Sequence, residues 1–307
     1  MCGIAGVWGD SDVETVQSML ADLAHRGPDA AGIVDLEGVG TLGHRRLAII
    51  DPDGGDQPIA NEDRSKTIIT NGEIYNFRQL RTELESRHVF QTGSDGESAL
   101  HLFEELGPSM VRKLDGMFTF AVAHGKNLFL ARDPIGVKPL YYAVDDTGDS
   151  APVLFFASEI KALTGLELEV RDVPPGTCYD FERGFLPYYR LPDYLPRERP
   201  DEVLRSILRE TLEQAIEKRL MSDVPVGVFL SGGLDSSIVA AIARRHLQPL
   251  HTFAVGTEGS PDLEAAGIVA RYIGSEHHEY ILDPEEIGRD LDTILYHLES
   301  FDQDLVR

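Results

Sequence analysis

Apolar and polar positions follow two different rhythms along the chain. Up to about residue 190, short apolar runs dominate: GIAGVW, GVGTLGHRRLAII, KTIITNGEIYN, GMFTFAVAH, KNLFLARD, PLYYAV and VLFFASEI. Runs of this length and content predict strands, and DPDGGD and DDTGD between them predict turns. Three stretches switch to helical spacing. In SDVETVQSMLADLAHRG, Val13, Val16, Met19, Leu20 and Leu23 share a face. Ser11 is the expected N-cap and Gly27-Pro28 the expected stop. NFRQLRTELES and DGESALHLFEEL are the other two. Many strands with few helices predict a layered α+β domain.

The segment YRLPDYLPRERPDEV is rich in Pro and charge and lacks apolar periodicity, which predicts an interdomain linker over 193–202. Domains are therefore expected over 1–192 and 203–307. Beyond the linker, helix DEVLRSILRETLEQAIEKRLM is followed by strand VGVFL, helix SSIVAAIARRHL, strand LHTFAVG, helix DLEAAGIVARYIG, strand HHEYIL and helix EEIGRDLDTILYHLES. That alternation predicts a parallel, doubly wound sheet. Two or three parallel strands make a small sheet, so the second domain is expected to be incomplete.

Charge narrows the partners. The 307 residues carry 28 Lys+Arg against 52 Asp+Glu, a net charge of −24. Such a field disfavours nucleic acid and anionic membranes. With scarce Lys it also raises the hypothesis of a salt-rich cytoplasm, where self-repulsion is screened. No apolar run is long enough to span a bilayer and no secretory signal is evident, so a cytoplasmic location is expected. The two cysteines, Cys2 and Cys178, do not make a disulfide scaffold. With no C-x-x-C and no His/Cys cluster in the sequence, a structural zinc site is not expected.

One loop stands out chemically. SGGLDSS, residues 231–237, lies between an apolar strand and a helix, where free N–H groups and the positive helix end favour an anion. Gly232 and Gly233 permit close backbone approach, and Ser231, Ser236 and Ser237 add hydroxyls. The loop lacks the Lys of a G-x-x-x-x-G-K-[ST] motif. Asp235 within it suggests a Mg²⁺ bridged to phosphate oxygens. Val255 and Gly256, at the end of LHTFAVG, belong on the same sheet edge, beside a nucleotide base. With Leu230 and Leu234 these residues form the expected nucleotide-phosphate site.

SGGLDSS resembles the pyrophosphate loop of the adenylating ATP pyrophosphatases. Its context, LMSDVPVGVFLSGGLDSS with HTFAVG and GSPD downstream, resembles the glutamine-hydrolysing asparagine synthetases. The front half is similar to their glutaminase domain, through MCGIAG, HRGPD, RLAIID, NGEIYN, TGSD, LDGMFTFA, RDPIGVKPLYY and ASEIKAL in family order. The resemblance covers essentially the whole chain. It implies an Ntn-hydrolase αββα sandwich followed by part of a doubly wound, adenine nucleotide α-hydrolase-like domain.

The chemistry agrees. Amide hydrolysis needs a nucleophile, a base and donors for a tetrahedral oxyanion. Cys2 offers the thiolate, and removal of Met1 would free an α-amino group that titrates at roughly 7.7–8.0. The resemblance assigns Asn71 and Gly72 to the oxyanion hole and Arg46 to the glutamine α-carboxylate. It assigns Leu47, Ala48, Ile49 and Ile50 to the pocket, and Glu73 and Asp95 to the substrate ammonium. Taken singly, Arg46 is equally a surface charge and Asp95 a helix cap. Arg132 is a candidate for the domain interface, and His25 and His44 are expected to be structural.

The family passes ammonia from glutamine to β-aspartyl-AMP, made from ATP and aspartate, to give asparagine. Glutamine, aspartate and ATP with Mg²⁺ are thus the implied ligands. No second Gly-rich SGEGADE-type motif is present, so the synthetase half is expected to be partial. Its partner would be a second copy or a complementary synthetase chain. An amidotransferase acting on another carboxylate, or a docking subunit without turnover, stays open at this point.

Overall fold

The computed structural model describes residues 1–147, 151–181, 183–193 and 199–300. Of the expected linker, 194–198 lie outside that set, as does the chain end from 301. The chain divides into two compact units, Met1–Tyr194 and Leu195–Arg307.

The first unit opens with β1 (Gly3–Trp8), α1 (Val13–Asp22), β2 (Ala30–Leu36) and β3 (Gly40–Arg46). Then come β4 (Ile59–Ala60), β5 (Lys66–Ile74), α2 (Phe77–Leu84) and α3 (Asp95–Leu106). It continues through β6 (Gly116–His124), β7 (Asn127–Arg132), β8 (Tyr141–Asp145), β9 (Val153–Ala157) and α4 (Lys161–Thr164). It closes with β10 (Arg171–Asp172), β11 (Thr177–Asp180) and β12 (Gly184–Pro187). Two six-stranded antiparallel sheets result, ordered β10-β8-β9-β1-β3-β2 and β12-β11-β7-β6-β5-β4.

Period-two alternation in β1 explains the layering. Ile4 and Trp8 join Ile69, Ala121, Leu128 and Leu130 of the second sheet in one core. Ala5 and Val7 turn the other way, onto Val16, Met19 and Leu20 of α1. Helices α2 and α3 cover the far side, with α3 against β5. This is the expected αββα sandwich, and β1 is buried along its whole length because it has a layer on each face.

Local details differ from expectation. Asp12, not Ser11, caps α1: its carboxylate accepts from Thr15 N at 2.9 Å. The Ser11 hydroxyl instead accepts from Gly38 N at 3.2 Å. The helix ends at Asp22, ahead of Gly27-Pro28. Ser94 caps α3, which leaves Asp95 as its first residue. Strand β3 stops at Arg46, and Leu47–Ile50 leave the ladder, because the chain curls around the Arg46 guanidinium. Arg132 is not free for an interface. Its donors go to Lys138 O, Asp172, Val173 O and Gly136 O, all inside the first unit.

The second unit contains α5 (Asp201–Glu217), β13 (Gly227–Phe229), α6 (Leu234–His246), β14 (His251–Gly256), α7 (Pro261–Ile273), β15 (Glu276–Ile281) and α8 (Pro284–Leu298). Its three strands are parallel, in the order β13-β14-β15. Leu230, Ala240, Ala254, Leu263, Ala266 and Ala270 form a small core. Large apolar side chains stay open, with Phe229 80% and Tyr272 90% exposed, so this unit leaves apolar surface uncovered. No described helix is long and apolar enough to cross a membrane.

Candidate active site

Cys2 enters β1 at the edge of a cleft in the first unit. The cleft is lined by Cys2, Arg46, Leu47, Ile49, Ile50, Gly72, Glu73 and Asp95 among the residues expected from sequence, and by Gly55, Gln57, Thr70 and Ser94 besides. These come from β1, the loop after β3, the end of β5 and the start of α3. The Cys2 Sγ accepts from Leu47 N at 3.4 Å, which pins the thiol to the Leu47 segment. Burial pushes the thiol pKa up, while the Leu47 N–H and the terminal ammonium pull it back. Burial likewise lowers the Met1 ammonium.

Two expected residues do not line the cleft itself. Ala48 turns its backbone N–H to Asp29, at 2.8 Å. Asn71 sits on β5, fully buried, and neither its Nδ2 nor its Oδ1 has a hydrogen-bond partner. A buried primary amide with no partner costs stability, so it marks a position kept for something other than packing. Its neighbour Gly72 adopts φ +149, and a Cβ there would lie 2.0 Å from Met117 O. Only glycine lets β5 pass Met117 and still open toward the cleft.

The acidic pair is electrostatically unusual. Burial, reinforced by the nearby Asp95 charge, raises the Glu73 pKa to about 8. Asp95 is also raised by burial, less so because its oxygens accept from Ile74 N at 2.7 Å and Gly96 N at 2.9 Å. Glu73 Oε2 is buried and unpartnered. Arg46, by contrast, has both Nη groups engaged: they bond Pro52 O, Asp51 O, Ile50 O and the exposed Asp56 carboxylate at 2.8 Å. To hold a substrate carboxylate, it must exchange the Asp56 contact.

Sequence reasoning missed the groups that hold Cys2 in place. The buried Arg26 donates from Nε to Cys2 O at 2.8 Å and from Nη1 to Glu159 at 2.7 Å. Ser158 exchanges two hydrogen bonds with Ile4, one through its Oγ and one through its N–H. Lys138 is buried, and burial pushes its ammonium pKa down while Glu73 and Cys2 pull it up. All of these lie in the quoted motifs HRGPD, ASEIKAL and RDPIGVKPLYY, which were the signal available. Of the histidines, His44 is held to about 4 by burial and bonds Thr70 O at 3.0 Å, and His25 pairs with Glu159.

In the second unit, β13 and β14 deliver the loop and Val255-Gly256 to the same carboxyl edge. Leu230 is buried under the loop, and Leu234 and Asp235 are exposed at the start of α6. The first-turn N–H groups have no intrahelical partner there. The hydroxyls are partly engaged: Ser237 donates to Gly233 O at 2.6 Å, and Ser231 and Ser236 meet at 3.0 Å. Gly232 has φ +77, and its Cβ position lies 2.5 Å from Ala265 Cβ. It is needed for packing on α7 as well as for access to an anion.

Comparison with known proteins matches these two regions separately. The model of the glutamine amidotransferase domain family covers residues 1–177, and that of the asparagine synthase family covers 207–305. Asparagine synthetase [glutamine-hydrolyzing] 2 of Arabidopsis thaliana is 42% identical over all of this chain and 55% of its own length. The Zea mays asparagine synthetase [glutamine-hydrolyzing] is 42% identical, with 54% of its length covered. The chain thus spans about half the length of the relatives it matches. Among solved structures, a glutamine phosphoribosylpyrophosphate amidotransferase from B. subtilis, complexed with ADP and GMP, superposes with TM-score 0.52 at 22% identity. That match covers 94% of this chain and 70% of the other, and it speaks to fold alone.

Proposed function

The chain belongs to the glutamine amidotransferase domain family, and on that premise we propose that its first unit hydrolyses glutamine at Cys2. The observation that carries the reading is the convergence of a pinned N-terminal thiol, a glycine at positive φ and a buried unpaired amide. Removal of Met1 frees the Cys2 α-amino group. The amine takes the thiol proton, and Sγ attacks the side-chain amide carbon of glutamine. Asn71 Nδ2 and the Gly72 N–H receive the developing oxyanion. The protonated amine then gives its proton to the departing ammonia. Water, deprotonated by the same amine, hydrolyses the thioester and restores the thiol. Arg46 takes the substrate α-carboxylate. The ammonium goes to Glu73, whose Oε2 is vacant, with Asp95 behind it.

In the second unit we propose ATP binding at Leu230–Ser237 with Val255 and Gly256. The phosphates sit on the first-turn N–H groups of α6 and the base beside Val255. A Mg²⁺ ion takes one or two carboxylates and completes its shell with phosphate oxygens and water, so the single exposed Asp235 suits it. The acceptor proposed is aspartate, activated by ATP as a β-aspartyl adenylate and amidated by the ammonia released at Cys2. The test is glutamate release from glutamine by wild type and Cys2→Ala. Loss of release in the variant is expected, and retained activity removes Cys2 as nucleophile. Binding of ATP is checked by titration of wild type against Asp235→Asn with and without Mg²⁺; equal affinities in all four conditions would exclude the metal role.

A further inference from the structure

Outside the lining of the Cys2 cleft, four side chains of the first unit converge beside α3: Glu62, His88, His101 and Glu104. One ligating atom from each lies within 4.8 Å of every other. The individual separations are 2.8 Å for His101 Nδ1 to Glu104 Oε2 and 3.4 Å for His88 Nδ1 to the same oxygen. Glu62 stands 3.7 Å from His88 Nδ1 through Oε1 and 4.0 Å from His101 Nδ1 through Oε2. A tetrahedral zinc ion with bonds of about 2.0–2.2 Å spaces its ligands by about 3.3–3.6 Å. These separations bracket that value.

The surroundings fit a metal as well as the spacing does. The far nitrogen of each imidazole faces a carboxylate: His88 Nε2 is 2.9 Å from Glu105 Oε1, and His101 Nε2 is 3.7 Å from Glu97 Oε1. Carboxylates in that position orient metal-bound histidines and raise their basicity. His101 is wholly buried, yet its Nε2 has no hydrogen-bond partner. Glu97 is itself fixed by Gln91 N and Thr92 N, and Glu104 Oε1 accepts from Asn61 Nδ2 at 2.7 Å. Charge points the same way. In the neutral form of the imidazoles that metal ligation requires, Glu62, Glu97, Glu104 and Glu105 give −4; Lys66 beside Glu104 and Arg87 on Glu105 return +2, leaving −2. The two imidazole rings stack with centroids 4.7 Å apart, which brings both histidines to one point.

We propose that Glu62, His88, His101 and Glu104 form a structural zinc site that ties the β4–β5 loop and the turn after α2 to α3. Four protein ligands close the coordination sphere, so the ion has no open position and does no chemistry. Imidazole with carboxylate in a tetrahedral frame selects zinc over Mg²⁺ or Ca²⁺, which prefer six or more oxygens. Because the ligands are spread from residue 62 to residue 104, no linear Cys/His motif announces the site.

The test is zinc competition against a chromophoric chelator on the full chain, stripped of metal and without nucleotide. Wild type is expected to take one tight equivalent. His88→Gln and Glu62→Gln, at the accessible side of the cluster, are expected to bind at least about tenfold more weakly while keeping glutaminase activity. Zinc should also raise the melting temperature of wild type and not of the variants. The Asp235→Asn variant, altered only at the ATP loop, should bind as wild type does. Absence of a stoichiometric equivalent in wild type overturns the proposal, as does unchanged affinity in both cluster variants.

Discussion

Truncating Asn71 should separate catalysis from stability. Both polar atoms of the Asn71 side chain are buried without partners in the ligand-free site. Each carries a desolvation penalty of about 1–3 kcal/mol that folding does not recover. Asn71→Ala removes both penalties. Against this stands the void left by three heavy atoms; at about 24 cal/mol per Å³, a residual cavity of some 40 Å³ costs about 1 kcal/mol. The balance favours the variant, so the melting temperature should hold or rise. Activity should move the other way, because loss of one oxyanion donor costs about 10²–10³-fold in kcat, or about 2.7–4 kcal/mol. KM for glutamine should change little, since the donor acts on the transition state. Steady-state glutaminase kinetics and a thermal melt on the same preparation decide it. An unchanged kcat would refute the oxyanion role. A drop of more than about 2 kcal/mol in stability would show that Asn71 is a packing residue and that its amide is satisfied in solution.

Three further outcomes follow from the two units. Glu73 has its pKa raised to about 8 by burial, so near pH 7 it is largely protonated in the free site. A bound ammonium favours the carboxylate, so glutamine binding to Cys2→Ala should release a proton near pH 7. Calorimetry in two buffers of different ionisation heat measures this, and Glu73→Gln should abolish it. The folded state also binds that proton more tightly than the unfolded chain. Stability should therefore fall as pH rises from about 4.5 toward about 8, and Glu73→Gln should flatten that slope; a slope unchanged in the variant would assign it to other groups. Gly232→Ala meets Ala265 Cβ at 2.5 Å with φ +77, so it should destabilise the second unit by about 1–3 kcal/mol. ATP affinity should be lost with it and glutamine hydrolysis preserved; a variant that binds ATP normally would contradict the packing account.

Both αβ rhythms were readable because they arise from local periodicity. Strands β5 to β9 and the helices from α5 to α8 follow from where apolar residues recur. Strands β4, β10 and β11, of two to four residues, are too short for a periodicity to show, and the longer β2 and the four-residue β12 were not anticipated either. Both are sheet edges with half-buried or exposed positions, so their alternation is weak. The cleft residues were legible only as an ordered set of motifs. Ala48 shows the limit of that reading: adjacent in sequence to Leu47 and Ile49, it turns its N–H to Asp29 and leaves the cleft.

By itself, then, the sequence determined most of the order of elements, the thiol at residue 2 and the glycine-rich turn, because each is a property of neighbouring residues. Tertiary structure alone decided the rest. It set Arg26 on Cys2 and Ser158 on Ile4, engaged both Nη groups of Arg46, and stripped partners from Asn71 and Glu73 Oε2. It also gathered Glu62, His88, His101 and Glu104 around one point. These outcomes depend on which elements pack together and how much water that packing excludes. Burial and distance are what shift a pKa, leave a donor unpaired or shape a metal cage, and neither quantity is written in the spacing of residues along the chain.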